Sequence, residues 1–124
     1  MRSNTLTGQH ILVVEDNAII AMSLEDLLRE AGAEVVGPLA TLRDAERTAT
    51  EAKLTGAVLD IMLEDEEIWP VARILAGRGI PFIFSSGHFE QDTLPAEWAS
   101  RTIVTKPARA QDIVKSLRQA LGVA

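Results

Sequence analysis

The feature that most constrains the fold is an alternation, repeated five times along the chain, between short apolar runs and segments with helical spacing. The apolar runs are rich in β-branched side chains and lie at residues 10–14, 34–36, 57–59, 80–84 and 102–104. Runs of this length and composition are typical of strands that are covered on both faces in a parallel sheet. Because each right-handed crossover places its helix against the sheet, the alternation predicts an α/β domain with helices on both faces.

Capping signals indicate where the helices begin. Asn17 and Thr41 each precede a helical segment and can accept hydrogen bonds from its first free N–H groups. Pro70 suits the first turn of the third helix. Residues 90–99 include Pro95 and poorly spaced apolar side chains, so we expect the fourth helix to be short or irregular.

Composition narrows the classes of function. The 124 residues and the 47% hydrophobic content suffice for one core, and the net charge of −6 argues against direct binding to nucleic acid or to an anionic membrane. The chain has no cysteine, which excludes disulfides and Cys-ligated metals. No apolar run approaches the roughly 20 residues needed to cross a bilayer, and residues 1–10 lack the apolar core of a signal peptide. We therefore expect a cytoplasmic protein without a membrane partner.

Polar side chains with potential for chemistry stand at the predicted strand ends: Glu15, Asp16, Asp60, Ser86 and Lys106. Ligands of such sheets bind at the carboxyl ends of the strands. Three carboxylates at one edge would repel each other unless a cation joined them, and Mg²⁺ favours such oxygen ligands. Lys106 could then neutralise a phosphoryl oxygen, and Ser86 could donate a hydrogen bond to one.

Each of these residues also has a purely structural interpretation. Strand-end acids can be solvated loop residues or partners of a helix dipole, and Lys106 can be their ion-pair partner. A serine in this position is often a turn former, and Ser85 competes with Ser86 for the same role by one register. We prefer Ser86 because residues 82–84 then form the buried run.

Together the residues resemble a response-regulator receiver domain of bacterial two-component signalling. The matching motifs occur in the order and at about the spacings of that family, over nearly the whole chain: Glu15-Asp16, Asp60, Ser86 and Lys106-Pro107. The resemblance implies a doubly wound (βα)5 flavodoxin-like fold with a five-stranded parallel sheet in the order 2-1-3-4-5. It also implies a receiver domain at residues 9–124, after an N-terminal tail at residues 1–8.

In this family the counterpart of Asp60 accepts a phosphoryl group from a histidine kinase in a Mg²⁺-dependent reaction. The resemblance implies that Asp16, Asp60 and the backbone carbonyl of Met62 bind Mg²⁺, with Glu15 contributing through water. The expected activity is self-catalysed phosphoryl transfer with slow autodephosphorylation, so the chain would not be a conventional turnover enzyme.

The resemblance also assigns roles on the opposite side of the site. Lys106 would pair with the phosphoryl group, and Ser86 would move inward to contact it. The peptide bond between Lys106 and Pro107 would be cis.

Two departures from the family pattern affect how the domain would pass on its signal. Ile103 stands three residues before the lysine, where the family usually has an aromatic switch residue. The segment at residues 84–89 resembles alphaproteobacterial single-domain receivers with a Phe-Ala-Thr-Gly-type motif, in which Gly87 would let the loop rearrange. His88 is interpreted as a solvated loop residue or, alternatively, as a sensor of the phosphorylated site, and Phe89 as a packing residue.

The prediction is a single-domain response regulator of a phosphorelay. Its phosphodonor would be a histidine kinase, such as one of the HWE or HisKA2 type, or a phosphotransfer protein. It would signal by conformational change or by docking an unidentified protein, as a monomer or weak dimer. The alternatives are a receiver fragment of a larger regulator or hybrid kinase, a phosphorylation-independent pseudo-receiver, and an aspartyl phosphohydrolase. The complete set of acids and lysine argues against the pseudo-receiver, and Met62 stands where phosphohydrolases commonly place a second acid.

Overall fold

The computed structural model describes residues 5–87, 94–106 and 108–122. The strands in these residues are β1 His10–Val14, β2 Glu34–Leu39, β3 Gly56–Asp60, β4 Met62–Leu63, β5 Glu66–Glu67, β6 Phe82–Ser86 and β7 Ile103–Thr105. The α-helices are α1 Ala18–Glu30, α2 Leu42–Glu51, α3 Trp69–Gly77 and α4 Ala110–Leu121, and Ala96–Trp98 form a 3-10 turn.

The main sheet has five parallel strands in the order β2-β1-β3-β6-β7. Since β4 and β5 form a separate hairpin, β6 and β7 are the fourth and fifth strands of the sequence pattern. The predicted order 2-1-3-4-5 is therefore confirmed. Strand order reverses between β1 and β3, which is the place where sheets of this kind bind ligands.

The two central strands are buried on both faces. Alternate side chains of β1 and β3 point to opposite sides of the sheet and enter two different cores. Leu12 and Leu59 contribute to the core under α2 and α3, whereas Val13 and Val58 contribute to the core under α1 and α4. This double coverage explains why the strands are apolar without a polar alternation.

Local capping fixes the helix starts as predicted. The Asn17 side chain accepts hydrogen bonds from the N–H groups of Ile19 and Ile20. Thr41 accepts one from the N–H group of Asp44, and Pro70 lies in the first turn of α3. The α1 cap matters for the site because it fixes the chain direction immediately after Glu15 and Asp16.

Three local features differ from or refine the expectations. The acidic segment after Asp60, for which the sequence pattern predicts no strand, forms the short hairpin of β4 and β5. Leu6, expected in an N-terminal tail, is fully buried, and its N–H donates to the carbonyl of Ala31. Between residues 94 and 102 the structure contains only the 3-10 turn at Ala96–Trp98, in agreement with a short or irregular fourth helix.

Aromatic packing occupies the side of the sheet next to that turn. Trp98 is buried, and its ring lies edge-on to Phe82 and Phe84 at centroid distances of 5.7 and 6.3 Å. Trp69 contacts Phe84 in the same geometry at 5.5 Å, and the Arg101 guanidinium lies 4.3 Å from the centre of the Phe82 ring. Large rings thus pack against one another on the side of the sheet next to the 3-10 turn.

Among the helices of the described residues, none combines the length and the apolar composition that a membrane span requires.

Candidate functional site

Sheet register brings the strand-end acids together. Val14 of β1 is paired with Leu59 of β3, so the residues that follow them, Glu15 and Asp60, stand side by side at the carboxyl edge. On the other side of β3, Asp60 is paired with Ser85 of β6. The acids therefore converge because parallel strands end at a common edge, as the sequence predicts.

Three carboxylates form a compact cluster at this edge. One oxygen each from Glu15, Asp16 and Asp60 lies within 4.8 Å of the other two. Glu15 and Asp60 are buried, with 2% and 6% of their surface exposed, and Asp16 is half-buried. Burial at this spacing makes the mutual repulsion of the charged forms costly.

Lys106 supplies the positive charge that opposes this repulsion. Its Nζ lies 2.6 Å from Oε1 of Glu15 and 3.3 Å from Oδ2 of Asp60. Its backbone N–H donates to the carbonyl of Ser86, which ties the end of β7 to the end of β6. Lys106 directly follows β7, and its side chain reaches across the site to Glu15, just after β1, and to Asp60, at the end of β3.

Backbone N–H groups hold the other carboxylate oxygens. The N–H of Asn17 donates to Oε2 of Glu15 at 3.1 Å. The N–H of Glu64 donates to Oδ2 of Asp16 at 2.8 Å, from the hairpin turn where Glu64 has a left-handed φ of 56°. Sequence reasoning missed this second contact because a backbone donor leaves no side-chain signal. The hairpin therefore positions one of the three acids.

Electrostatics in the cluster favour a proton or a cation on Asp60. Burial, followed by the neighbouring Glu15 carboxyl, raises the pKa of Asp60 to about 7, although Lys106 acts to lower it. Burial alone would lower the pKa of Lys106, but Glu15 and Asp60 outweigh it and leave this pKa above its ordinary value. Lys106 thus remains charged at neutral pH, and its single charge does not compensate the acids fully.

The donor set fits a hard divalent cation. Carboxylate oxygens at this spacing are the ligands that Mg²⁺ prefers, and the single positive charge of Lys106 faces three acids. Met62 begins β4 two residues after Asp60, so its backbone lies next to the cluster in the chain. The residues present are therefore compatible with Mg²⁺, with Glu15, Asp16 and Asp60 as the side-chain ligands.

The structure places both candidate serines at the end of β6. Ser85 and Ser86 are each buried, and Ser85 is the one in register with Asp60. Ser86 lies one residue closer to the edge and is paired with Thr105. The choice between the two hydroxyls therefore stays a prediction. Ile103, at the position expected for an aromatic switch residue, is half-buried and is paired with Phe84.

Several predicted features lie outside the described residues. His88 and Phe89 belong to residues 88–93, and Pro107 separates two described segments. The predicted cis bond at Lys106–Pro107 and the suggested roles of His88 and Phe89 therefore lie outside the described residues and stay predictions.

Comparisons with known proteins agree on the fold. The chain is 35% identical to SdrG from Sphingomonas melonis Fr1, with a TM-score of 0.80, over 96% of this chain and 98% of that one. It is 24% identical to the receiver domain of the sensor histidine kinase PA1611 from Pseudomonas aeruginosa, with a TM-score of 0.79, over 94% and 99% of the two chains. That structure holds a magnesium ion in its active-site cleft.

A curated relative matches over part of its length. The chain is 31% identical over 114 residues to the phyllosphere-induced regulator PhyR of Methylorubrum extorquens, which is 90% of this chain and 43% of that protein. The chain spans about half the length of the curated relatives it matches. No protein-family model matches it.

The raised pKa of Asp60 predicts a pH-dependent stability in metal-free protein. The folded state holds this proton more tightly than the unfolded chain, so the stabilisation is complete below about pH 4 and is lost as the pH rises from 3.8 to about 7. The Asp60→Asn variant has no carboxyl group at this position, so its stability does not fall in this way as the pH rises. Urea unfolding in EDTA should therefore show the variant gaining stability relative to the wild type across this window. Parallel pH profiles would contradict the assigned shift.

Proposed function

Because the chain belongs to the response-regulator receiver family, we propose that Asp60 is its phosphoacceptor and that a histidine kinase or a phosphotransfer protein is its phosphodonor. The observation that carries the proposal is the position of Asp60, buried between Lys106 and two further carboxylates at the reversal of strand order. Such a receiver acts in two-component signalling as a phosphoacceptor and not as a conventional enzyme. The HWE or HisKA2 kinase type stays a prediction.

In the proposed reaction the carboxylate of Asp60 is the nucleophile. One of its oxygens attacks the phosphorus atom while the P–N bond of a phosphohistidine breaks and the imidazole leaves with the bonding electrons. The product is an acyl phosphate on Asp60. Attack by water on the phosphorus later returns the carboxylate and inorganic phosphate. The carboxylate must be ionised to attack, so groups that lower its pKa promote the reaction.

Mg²⁺ would be held by Asp16, Asp60 and the backbone carbonyl of Met62, with Glu15 acting through water. The close approach of the three carboxylates supports a divalent cation at this position, and the PA1611 receiver domain holds a magnesium ion in its active-site cleft. When bound, the ion offsets the negative charge of the acids and of the transferring phosphoryl oxygens. The Glu64 N–H would keep Asp16 oriented for this role.

Lys106 and Ser86 would contact the phosphoryl group from the other side. Lys106 already reaches Asp60, and a phosphoryl group on that residue would bring an oxygen within its range. The amine can then exchange its contact with Glu15 for one with the phosphoryl group. Ser86, at the end of β6 and tied to Lys106 through its backbone carbonyl, would donate its hydroxyl to another phosphoryl oxygen.

The relatives divide between two architectures. SdrG is matched over 98% of its length, whereas PhyR of Methylorubrum extorquens is matched over 43%. We propose the single-domain form, with a protein partner as output, on the strength of the SdrG match. The intact mass of the protein isolated from its native cells tests this choice. A mass well above 13.4 kDa would assign the chain to a larger regulator.

The phosphoacceptor assignment predicts a covalent adduct that depends on both Asp60 and Mg²⁺. Incubation with acetyl phosphate and Mg²⁺ should add one phosphoryl group to the wild type, as measured by intact mass. Asp60→Asn should show no adduct because an amide is a poor nucleophile, and EDTA should prevent the reaction of the wild type. An equal adduct on the variant, or none on either protein, would contradict the assignment.

The two serines provide a matched pair for the hydroxyl role. A hydrogen bond to a charged group is worth roughly 1.5–3 kcal/mol, so Ser86→Ala should slow phosphorylation by acetyl phosphate by about tenfold or more. Ser85→Ala removes the same atom one residue away and should change the rate by less than about twofold. The reverse order of effects would transfer the role to Ser85.

A further inference from the structure

Asn17 lies between the acids of the site and the first turn of α1, and it forms hydrogen bonds on both sides. Its side-chain Oδ1 accepts from the N–H groups of Ile19 and Ile20 at 3.0 and 3.1 Å. Its carbonyl accepts from the N–H of Ala21 at 2.9 Å, which is the first hydrogen bond of the helix. Its own N–H donates to Oε2 of Glu15 at 3.1 Å. One residue thus closes the helix start and holds a carboxylate of the cluster.

The direction of the Asn17 N–H depends on the helix cap. The backbone of Asn17 is extended, with φ −84° and ψ 114°, which is the conformation of a capping residue. Asn17 is exposed, so burial does little to hold it. The bonds to Oδ1 therefore keep the first turn closed and the Asn17 N–H directed at Glu15. Without them the first N–H groups of α1 would have to turn to water, and the turn would fray.

Glu15 is held through its backbone and through both of its carboxylate oxygens. Its N–H donates to the carbonyl of Leu39, at the end of β2, at 2.9 Å. Oε1 forms the ion pair with Lys106, and Oε2 accepts the N–H of Asn17. With Oε2 bound in this way, the carboxylate presents Oε1 to the lysine. Loss of the Asn17 bond would free Glu15 to rotate and offer both oxygens to Lys106.

Asp16 is the residue between these two, so its position follows the same chain direction. On one side it is joined to Glu15, which β1 and β2 hold, and on the other side to the capping residue Asn17. Its Oδ2 accepts the N–H of Glu64 at 2.8 Å. A change of chain direction at Asn17 would therefore move Asp16 relative to Glu64 and Asp60.

We propose that Asn17 is a positioning residue for the cation site, whose helix cap orients Glu15 and Asp16 towards a bound Mg²⁺. The proposal rests on the function proposed above, in which these acids hold the ion. Asn17 acts only through the two acids. Groups that hydrogen-bond to metal ligands from behind fix their orientation and add to metal affinity.

Removal of the cap acceptor tests this role. Asn17→Ala deletes Oδ1 and leaves the backbone N–H in place. Mg²⁺ should bind about three- to tenfold more weakly, less than the roughly 10- to 100-fold that follows direct loss of a partner behind a ligand. Titration with Mg²⁺ without phosphodonor, followed by amide chemical shifts in NMR spectra, measures the dissociation constant. Asn17→Ser can cap the helix with its hydroxyl and should restore the wild-type value within about twofold.

Thr41→Ala is the matched control for a loss of stability. Thr41 caps α2 by accepting the N–H of Asp44 and, through its carbonyl, the N–H of Ala45. Because each alanine variant removes a cap acceptor, both should lower the midpoint of urea unfolding. Thr41→Ala should leave the Mg²⁺ dissociation constant within about twofold of the wild type.

Hydrogen exchange in metal-free protein gives a readout of the contact itself. The N–H of residue 17 should exchange about threefold faster or more in Asn17→Ala, because the frayed turn no longer directs it at Glu15. It should keep its protection in Asn17→Ser and in Thr41→Ala. In phosphorylation by acetyl phosphate, Asn17→Ala should raise the Mg²⁺ concentration needed for half-maximal rate and leave the maximal rate within about twofold.

Three outcomes would overturn the proposal. They are an unchanged Mg²⁺ dissociation constant in Asn17→Ala, an equal weakening in Thr41→Ala, and a failure of Asn17→Ser to restore the affinity. Any of these beside a normal phosphoryl adduct on the wild type would leave the role of Asp60 intact. Absence of the adduct beside the expected Mg²⁺ titrations would instead remove the phosphoacceptor and leave the positioning role. A wild type that binds no Mg²⁺ would overturn the positioning role and the Mg²⁺ assignment together.

Discussion

The mutual repulsion of three carboxylates at one sheet edge, two of them buried, is the constraint on which the site depends. Glu15 and Asp60 are held side by side by the register of β1 and β3, so the chain cannot separate them without breaking the sheet. Lys106, which follows β7, supplies a positive charge that offsets part of this repulsion. The N–H of Glu64 holds the Asp16 carboxylate in place. Burial of Asp60, followed by the neighbouring Glu15 carboxyl, raises the pKa of Asp60 to about 7. Binding of a divalent cation or of a proton reduces the repulsion between the carboxylates. A cation also leaves the Asp60 carboxylate ionised, as a nucleophile must be.

Much of this arrangement could be predicted from the sequence because parallel strands end at a common edge. Five apolar runs predicted the strands, the resemblance to receiver domains implied their order, and polar residues immediately after the strands were therefore expected to meet. The hairpin could not be predicted, because the acidic run from Glu64 to Glu67 shows no apolar alternation and its contact to Asp16 is made by a backbone N–H. The choice between Ser85 and Ser86 depends on side-chain direction at a strand end, which spacing alone does not determine.

The aromatic side chains near the end of β6 depart from the pattern that is usual in the family. Ile103 replaces the aromatic residue usual at its position, yet Phe84, its partner in the sheet, packs against Trp69 and Trp98. The aromatic side chains near this position therefore come from β6, α3 and the 3-10 turn. The sequence pattern predicts which apolar residues are buried. It does not predict the exposure of Met22, because the covered face of a helix is known only once the fold is assembled.

The central claim is that the chemistry occurs at Asp60 itself, and borohydride reduction of phosphorylated protein tests it most directly. Hydride reduces an acyl phosphate on aspartate to homoserine and leaves phosphate esters and free carboxylates unchanged. Peptide mass mapping after reaction with acetyl phosphate and Mg²⁺ should find homoserine at position 60 and aspartate at position 16. Homoserine at another position, or phosphate retained on a serine after reduction, would contradict the account.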